Sequence, residues 1–146
     1  MREAIGGTWI FSIVIIFIVL FTGYLAVSVN YSKAFKVKNG IINIIEHNEG
    51  LNTTAQSEID NYLGGVGYYV YSTCTTSSNE KGYGPNTTNT GYRYCISKRE
   101  SGEGTFRKTY YKVRVFFRID LPVFGSILVF PVTGETKAVY FANDNL

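Results

Sequence analysis

The residues of this chain best placed to do chemistry are two cysteines, Cys74 and Cys95. Each lies in a Tyr/Thr-rich, strand-like run, GYYVYSTC and GYRYCIS. The polar stretch between them carries Gly82, Gly84, Pro85 and Gly91, the composition of a hairpin loop. Strands leading into and out of one loop would bring the thiols together. A disulfide there would close a loop of about 20 residues and contribute roughly 3 kcal/mol in the chain-entropy model. It would persist only in an oxidising compartment. A pair of reduced, half-buried thiols is the alternative reading. Zinc is not expected, because two cysteines and one distant His47 do not make four ligands.

Other reactive side chains lack the company they need. His47 is placed at a polar helix end beside Glu46 and Glu49, where a solvated histidine is expected. No serine or cysteine stands with a base in a recognisable motif. Gly64-Gly65-Val66-Gly67 follows a helix, whereas a phosphate cradle precedes one. Lys98, Arg99, Arg107 and Lys108 form a basic loop around Gly102 and Gly104. It reads as a solvated hairpin tip, or else as an electrostatic contact for anionic lipid, DNA or an acidic partner. The tyrosines from Tyr68 to Tyr111 either pack the sheet or offer a sticky face. The net charge of +3 is too small and too scattered for a nucleic-acid footprint. The sequence therefore predicts no catalysis, no cofactor and no small-molecule substrate.

The elements that would position these groups begin with a membrane-like segment. From Trp9 to Val29 there are 21 residues without a charge. As a helix they cover about 30 Å, the thickness of a bilayer's hydrocarbon core. The predicted anchor includes Trp9, Ile15, Phe17, Leu20 and Tyr24, with Trp9 and Tyr24 near the two interfaces. A cleaved secretory signal is the rival reading, since Ala26-Val27-Ser28 is a passable small-x-small site. Lys33, Lys36 and Lys38 lie beyond the run, and counted alone they put the C-terminal part in the cytoplasm. The disulfide-like pair argues for the opposite side, and an extracytoplasmic head is the expectation.

The helix is expected to continue to about Glu46. Its apolar stripe comprises Tyr31, Ala34, Phe35, Lys38, Ile41, Ile42 and Ile45, and Gly40 marks a kink or break. Thr53 to Gln56 reads as a capping box for a second helix with the stripe Ala55, Ile59, Tyr62 and Leu63, ended by Gly64-Gly65. Tyr111 to Leu121 alternates: Tyr111, Val113, Val115, Phe117, Ile119 and Leu121 face one way, while Lys112, Arg114, Phe116, Arg118 and Asp120 face the other. Pro122 breaks this strand. Ile127 to Phe130 is a short run ended by Pro131, Val132 to Glu135 turns, and Thr136 to Phe141 makes a last strand before a frayed tail. The fold class is α+β: a transmembrane helix extending into an amphipathic helix, a short second helix, then a small antiparallel β-sheet. The expected divisions are a leader (1–8), a transmembrane helix (9–29), a helical stalk (30–66) and an extracytoplasmic β domain (67–146).

This layout resembles the TadE-like pseudopilins of Tad/Flp pilus systems, within the wider type IV pilin-like group. The resemblance rests on the short leader MREAIGG before the apolar helix. It rests also on the amphipathic continuation NYSKAFKVKNGIINIIEHNEG with the helix TTAQSEIDNYL, and on the closing pattern TYYKVRVFFRIDLPVFGSILVFPVTGETKAVYF. It implies a bacterial, non-catalytic, minor pilin-like subunit that waits in the membrane and helps assemble or cap a surface filament. Its partners would be membrane lipid and other pilin-like subunits, met through the N-terminal helix. It implies cleavage between Gly7 and Thr8. The family carries a glutamate a few residues into the mature helix, where this chain has Ser12. A second class of reading is a tethered binding module whose tyrosines or basic loop grip a cell-surface polymer or DNA.

Overall fold

A computed structural model describes residues 2–74, 79–84, 91–102, 107–121, 125–140 and 142, with the backbone alone for 2–5, 120, 121 and 125–127. Seven elements follow in order: α1 (Arg2–His47), α2 (Thr53–Val66), β1 (Glu80–Tyr83), β2 (Tyr94–Ser101), β3 (Lys108–Leu121), β4 (Gly125–Glu135) and β5 (Val139–Tyr140). The fold is α+β, as the sequence predicts. The strands form one antiparallel sheet in the order β1-β2-β3-β4, with β5 also paired to β3. β5 bonds to Lys108 and Thr109, so it extends the β4 edge of β3.

α1 is a single helix of 46 residues that passes through residues 8/9 and 29/30 without a break. Its two halves meet different surroundings. None of the residues from Gly6 to Thr22 is buried. Ala34, Val37, Ile41 and Ile45 are fully buried against the sheet. Burying an Ile side chain is worth about 1.5–3 kcal/mol, so this stripe holds the head to the rod. The stripe is rotated from the predicted one. Val37 joins it, while Tyr31 and Phe35 stay half exposed at its margin. Lys38 belongs to it, as predicted: the residue is buried, its stem lies over Gly134 and its ammonium sits 4.1 Å from the Phe35 ring.

Gly40 does not break the helix. The Tyr62 ring of α2 occupies the place where a Cβ on Gly40 would stand, and the Tyr62 hydroxyl donates to the Lys36 carbonyl at 3.3 Å. The glycine is a packing notch. α2 carries the predicted stripe, with Ala55, Ile59 and Leu63 buried and Tyr62 packed against the core. Its caps differ from the prediction. Asn52 is the N-cap, its Oδ1 accepting from the Ala55 amide at 2.8 Å, and Thr53 is already helical. Gly64 and Gly65 lie within the helix. It ends at Gly67, whose left-handed backbone (φ 63°) allows the Gly67 and Tyr68 amides to close on the Gly64 and Leu63 carbonyls.

The face of β3 that packs on α1 carries Tyr111, Val113, Val115 and Phe117, all buried, with Ile119 packed beside them. Tyr94 and Ile96 of β2 and Val132 of β4 complete that layer. On the other face Lys112 and Arg118 are exposed, but Phe116 is buried, against the expected wet pattern. That face also carries Cys95, which lies opposite Arg114, so it is not simply solvated. β4 departs further from expectation. Pro131 does not end it, and Val132 to Glu135 is strand, not turn. Phe116 turns its amide away from β4, toward Tyr68, and Pro131 is its partner in register. In an antiparallel pair the nitrogen of Pro131 then faces outward from the sheet edge, where a missing N–H costs nothing. The last strand is shorter than expected, because Thr136 to Ala138 follow the same edge of β3 without forming strand before β5. The expected stop at Pro122, the strand end at Phe141 and the tail 143–146 lie outside the described residues. Ala142 packs partly against the core.

Gly40→Ala should destabilise the detergent-solubilised protein by about 1–3 kcal/mol, the usual cost of overpacking. Thermal unfolding followed by circular dichroism measures it. Adding Tyr62→Ala should cost less in that background than in the parent, because the overlap is then relieved. Equal costs in both backgrounds would remove the packing explanation.

Candidate functional site

Two regions could carry function: the bare half of α1 and the disulfide-bearing surface of the head. The first is built by composition. Trp9 is 71% exposed, Phe17 68% and Leu20 67%, and Ile15 and Tyr24 are exposed with them, so the side chains point outward all round the helix. The helix is long and apolar enough to cross a membrane. Two of its hydroxyls bond back to the helix: Ser12 donates to the Thr8 carbonyl at 3.0 Å and Thr22 to the Ile18 carbonyl at 2.6 Å. Such back-bonding gives both donors a partner within the helix.

The second region is held by Cys74 and Cys95, which form the predicted disulfide with Cα atoms 5.8 Å apart. The route between them differs from a plain hairpin loop. Cys74 is not in a strand, and the interval contains β1, whose Gly82 pairs with Cys95. Glu80 of β1 binds Arg114 of β3 at 3.2 Å, with the carboxylate 6% exposed. The bridge thus pins the segment after α2 to the face of the sheet away from α1.

That segment has three further ties. Ser72 and Tyr92 exchange backbone bonds at 3.0 and 2.8 Å. The Arg93 guanidinium lies 5.0 Å from the Tyr69 ring and donates to the Tyr71 hydroxyl at 3.3 Å. The Tyr68 hydroxyl accepts the Phe116 amide at 3.0 Å, just past the point where β2 begins at Tyr94 opposite Val115. Tyr68 thus supplies the acceptor that a longer β2 would have given. Burial pushes the Tyr68 phenol well above the ordinary tyrosine range, against the opposing pull of the Phe116 amide. Burial does the same to Tyr94, helped by the negative charge of Asp60.

The tyrosines are divided rather than gathered on one face. Tyr68, Tyr94 and Tyr111 are core, Tyr83 stacks on Tyr94 at 5.4 Å, Tyr92 covers Gly82, and Tyr69 lies outside under Arg93. The basic group is also divided. Glu100 binds both Lys98 at 2.9 Å and Arg107 at 3.4 Å. Lys108 lies 5.7 Å over the Tyr140 ring, and Arg99 pairs across to Tyr110. Gly104 is outside the described residues. A shallow groove of about 380 Å³ lies between Lys81, Tyr83, Ile96, Lys98 and Glu100. It is lined by charges of both signs and holds no nucleophile beside a base. His47 is exposed at the end of α1, as the sequence predicts. Among the described residues no cluster of three His, Cys, Asp or Glu side chains could hold a metal ion.

Comparisons with protein-family models, curated proteins and solved structures return no match to this chain.

Cys74→Ser with Cys95→Ser should lower stability by about 2–4 kcal/mol, read as a fall in the unfolding midpoint and abolished by prior reduction of the parent. Tyr68→Phe should cost about 1–3 kcal/mol, because the Phe116 amide loses its acceptor while staying buried. The pH dependence has a fixed sign. Both buried phenols bind their proton more tightly folded than unfolded, so their contribution is whole below the unfolded value of about 10 and falls as pH rises above it. Alkaline unfolding watched by ellipticity should therefore track tyrosinate absorbance, and the dependence should be shallower in a Tyr68→Phe, Tyr94→Phe variant. An unchanged slope in that variant would count against the assignment.

Proposed function

We propose that the protein is a membrane-anchored, pilin-like subunit with its head on the extracytoplasmic side, acting in assembly and not in catalysis. The observation that carries this reading is the division of α1. One unbroken helix of 46 residues is bare and apolar in its first half and forms one layer of the head's core in its second. A tether needs only a greasy segment and a linker. A continuous rod fused into the head instead fixes the angle and rotation of every head relative to its anchor. Subunits that pack by their anchors can then present their heads in register, with Ile, Val, Leu and Phe side chains replacing lipid around each rod.

The side of the membrane is argued from the Cys74–Cys95 disulfide, since such bonds persist in oxidising compartments. The similarity to TadE-like pseudopilins supports the assembly role through the same order of leader, rod, short helix and β head. The basic loop gives little support to the binding-module reading, because Glu100 already pairs two of its cations.

Two measurements test the proposal. Ser57→Cys, exposed on α2, should react with a membrane-impermeant maleimide in intact cells. Reaction only after lysis would place the head in the cytosol and sink the reading. A photo-crosslinker in place of Phe17 should yield protein–protein adducts through α1, in membranes or in sheared surface material. Lipid adducts alone would leave a simple anchor and no assembly role.

A further inference from the structure

We propose that the end of the sheet formed by Ile119 and Leu128 to Phe130 is a second membrane contact, seated in the lipid interface beside α1. This rests on the anchor reading above and adds to it where the head meets the bilayer.

The argument begins with relative height. Gly134, which pairs with Val113, lies against Lys38 and Ile42 of α1. Phe117 meets Tyr31 edge-on at 5.7 Å. β3 therefore runs antiparallel to α1, descending toward the bare half of the helix. Four strand residues cover about 13 Å and nine helix residues about the same, so the two markers agree. Two residues further along β3, Ile119 and its partner Leu128 stand level with Ala26 and Val27. Those two belong to the uncharged run from Trp9 to Val29. With Trp9 at one interface, the hydrocarbon slab of roughly 30 Å reaches Val29. The β3–β4 end then shares the last turns of the anchor's lipid layer.

The surface chemistry changes at the same height. Leu128 is 52% exposed, Val129 44% and Phe130 39%, so both faces of this edge strand are apolar and open. Alternation with a wet face has been lost there, as expected for a strand with lipid on both sides. The bare side of α1 is continuous with it through Val29, Tyr31 and Phe35, all exposed. The stripe of α1 that faces the head also runs down into the apolar run, through the half-covered Asn30, Val27, Ala26 and Gly23. At the height of Val129 and Phe130 lies a cleft of about 100 Å³ lined by Asn30, Lys33, Tyr68, Phe117 and Arg118. Arg118 is level with Val129 and Lys33 lies further along α1 toward the head, and both stems are long enough to lie along apolar surface while the charge reaches the lipid phosphates. An apolar edge beside cations that reach the phosphates is an arrangement suited to a bilayer surface.

The experiment uses the full chain, with its disulfide, in phosphatidylcholine vesicles containing phosphatidylglycerol. An environment-sensitive fluorophore is attached singly at Leu128→Cys, Phe130→Cys, Ile15→Cys or Ser57→Cys. Lipids with a nitroxide high in the acyl chain and aqueous iodide serve as quenchers. The Leu128 and Phe130 sites should be quenched by nitroxide lipid several-fold more than Ser57, and by iodide several-fold less. Iodide access equal to that of Ser57, with Ile15 still quenched by lipid, overturns the proposal and leaves the anchor intact: the head then stands clear and the slab spans a more N-terminal stretch. Shielding of Leu128 from both quenchers also overturns it, in favour of cover by a second copy. Loss of lipid quenching at Ile15 means that the anchor reading itself has failed.

Discussion

The packing of α1 residues Ala34 to Ile45 on the core face of β3 is the constraint from which the other features follow. A helix that enters a bilayer must satisfy its own backbone there, so it cannot stop or loop within the slab. It has no such obligation outside, where most anchors could fray into a linker. Here the same helix continues because its next turns are needed as a layer of the core. A five-stranded antiparallel sheet with one helix-covered face is a stable two-layer arrangement, but α2 alone is too short to cover it. Ile41, Ile45, Leu51, Ile59 and Leu63 meet Tyr111, Val113 and Val115 in one cluster, so removing the stalk would open the head's interior to water. Glu46 adds a tie at the far end, accepting the Lys137 amide at 2.8 Å where the chain crosses from β4 to β5.

The segment that follows α2 is held by different means. Tyr68 and Val70 pack with the α1-side core, and beyond them the chain pairs through an isolated bridge between Ser72 and Tyr92. One bridge by itself holds such a segment weakly. It is held instead by discrete ties: the Tyr68 hydroxyl, the Arg93 contacts with Tyr69 and Tyr71, and the disulfide to Cys95. The covalent tie is worth most where non-covalent cover is thinnest.

Much of this was legible in the sequence where a pattern repeats. The uncharged run, the alternation from Tyr111 to Phe117 and the α2 stripe are periodic, and periodicity reports which face is buried. The cysteine pair was legible from the two tyrosine-rich runs around it. What was not legible depends on a partner remote in sequence. Gly40 reads as a helix breaker until Tyr62 fills its notch. Pro131 reads as a strand stop until β4 is known to be an edge whose nitrogen there points outward. Phe116 reads as wet until the other face of β3 is found to be covered. The N-cap is a different kind of miss: Asn52 is as good a cap as Thr53, and a local rule could not choose between neighbours. The candidate site was half legible. The apolar run was plain, but the exposure of Leu128 to Phe130 on both faces of β4 could be seen only once the register with β3 was known.

On the proposed reading, the rigid joint has a consequence for how the subunit leaves the membrane. A head on a flexible linker keeps its solvation whatever its anchor does. A head fused to its rod must move with it, because sliding α1 by one turn carries β3 and β4 about 5 Å in the same direction. Any apolar surface at the base of the head, such as Leu128 and Phe130, changes its surroundings with each step. Extraction therefore costs more than transfer of the helix alone unless neighbouring subunits cover both the rod and the base. On the proposed reading, that cost is what keeps the subunit in the bilayer until partners arrive. The continuity of the helix is then a means of coupling the head's solvation to the anchor's, which a linker would not provide.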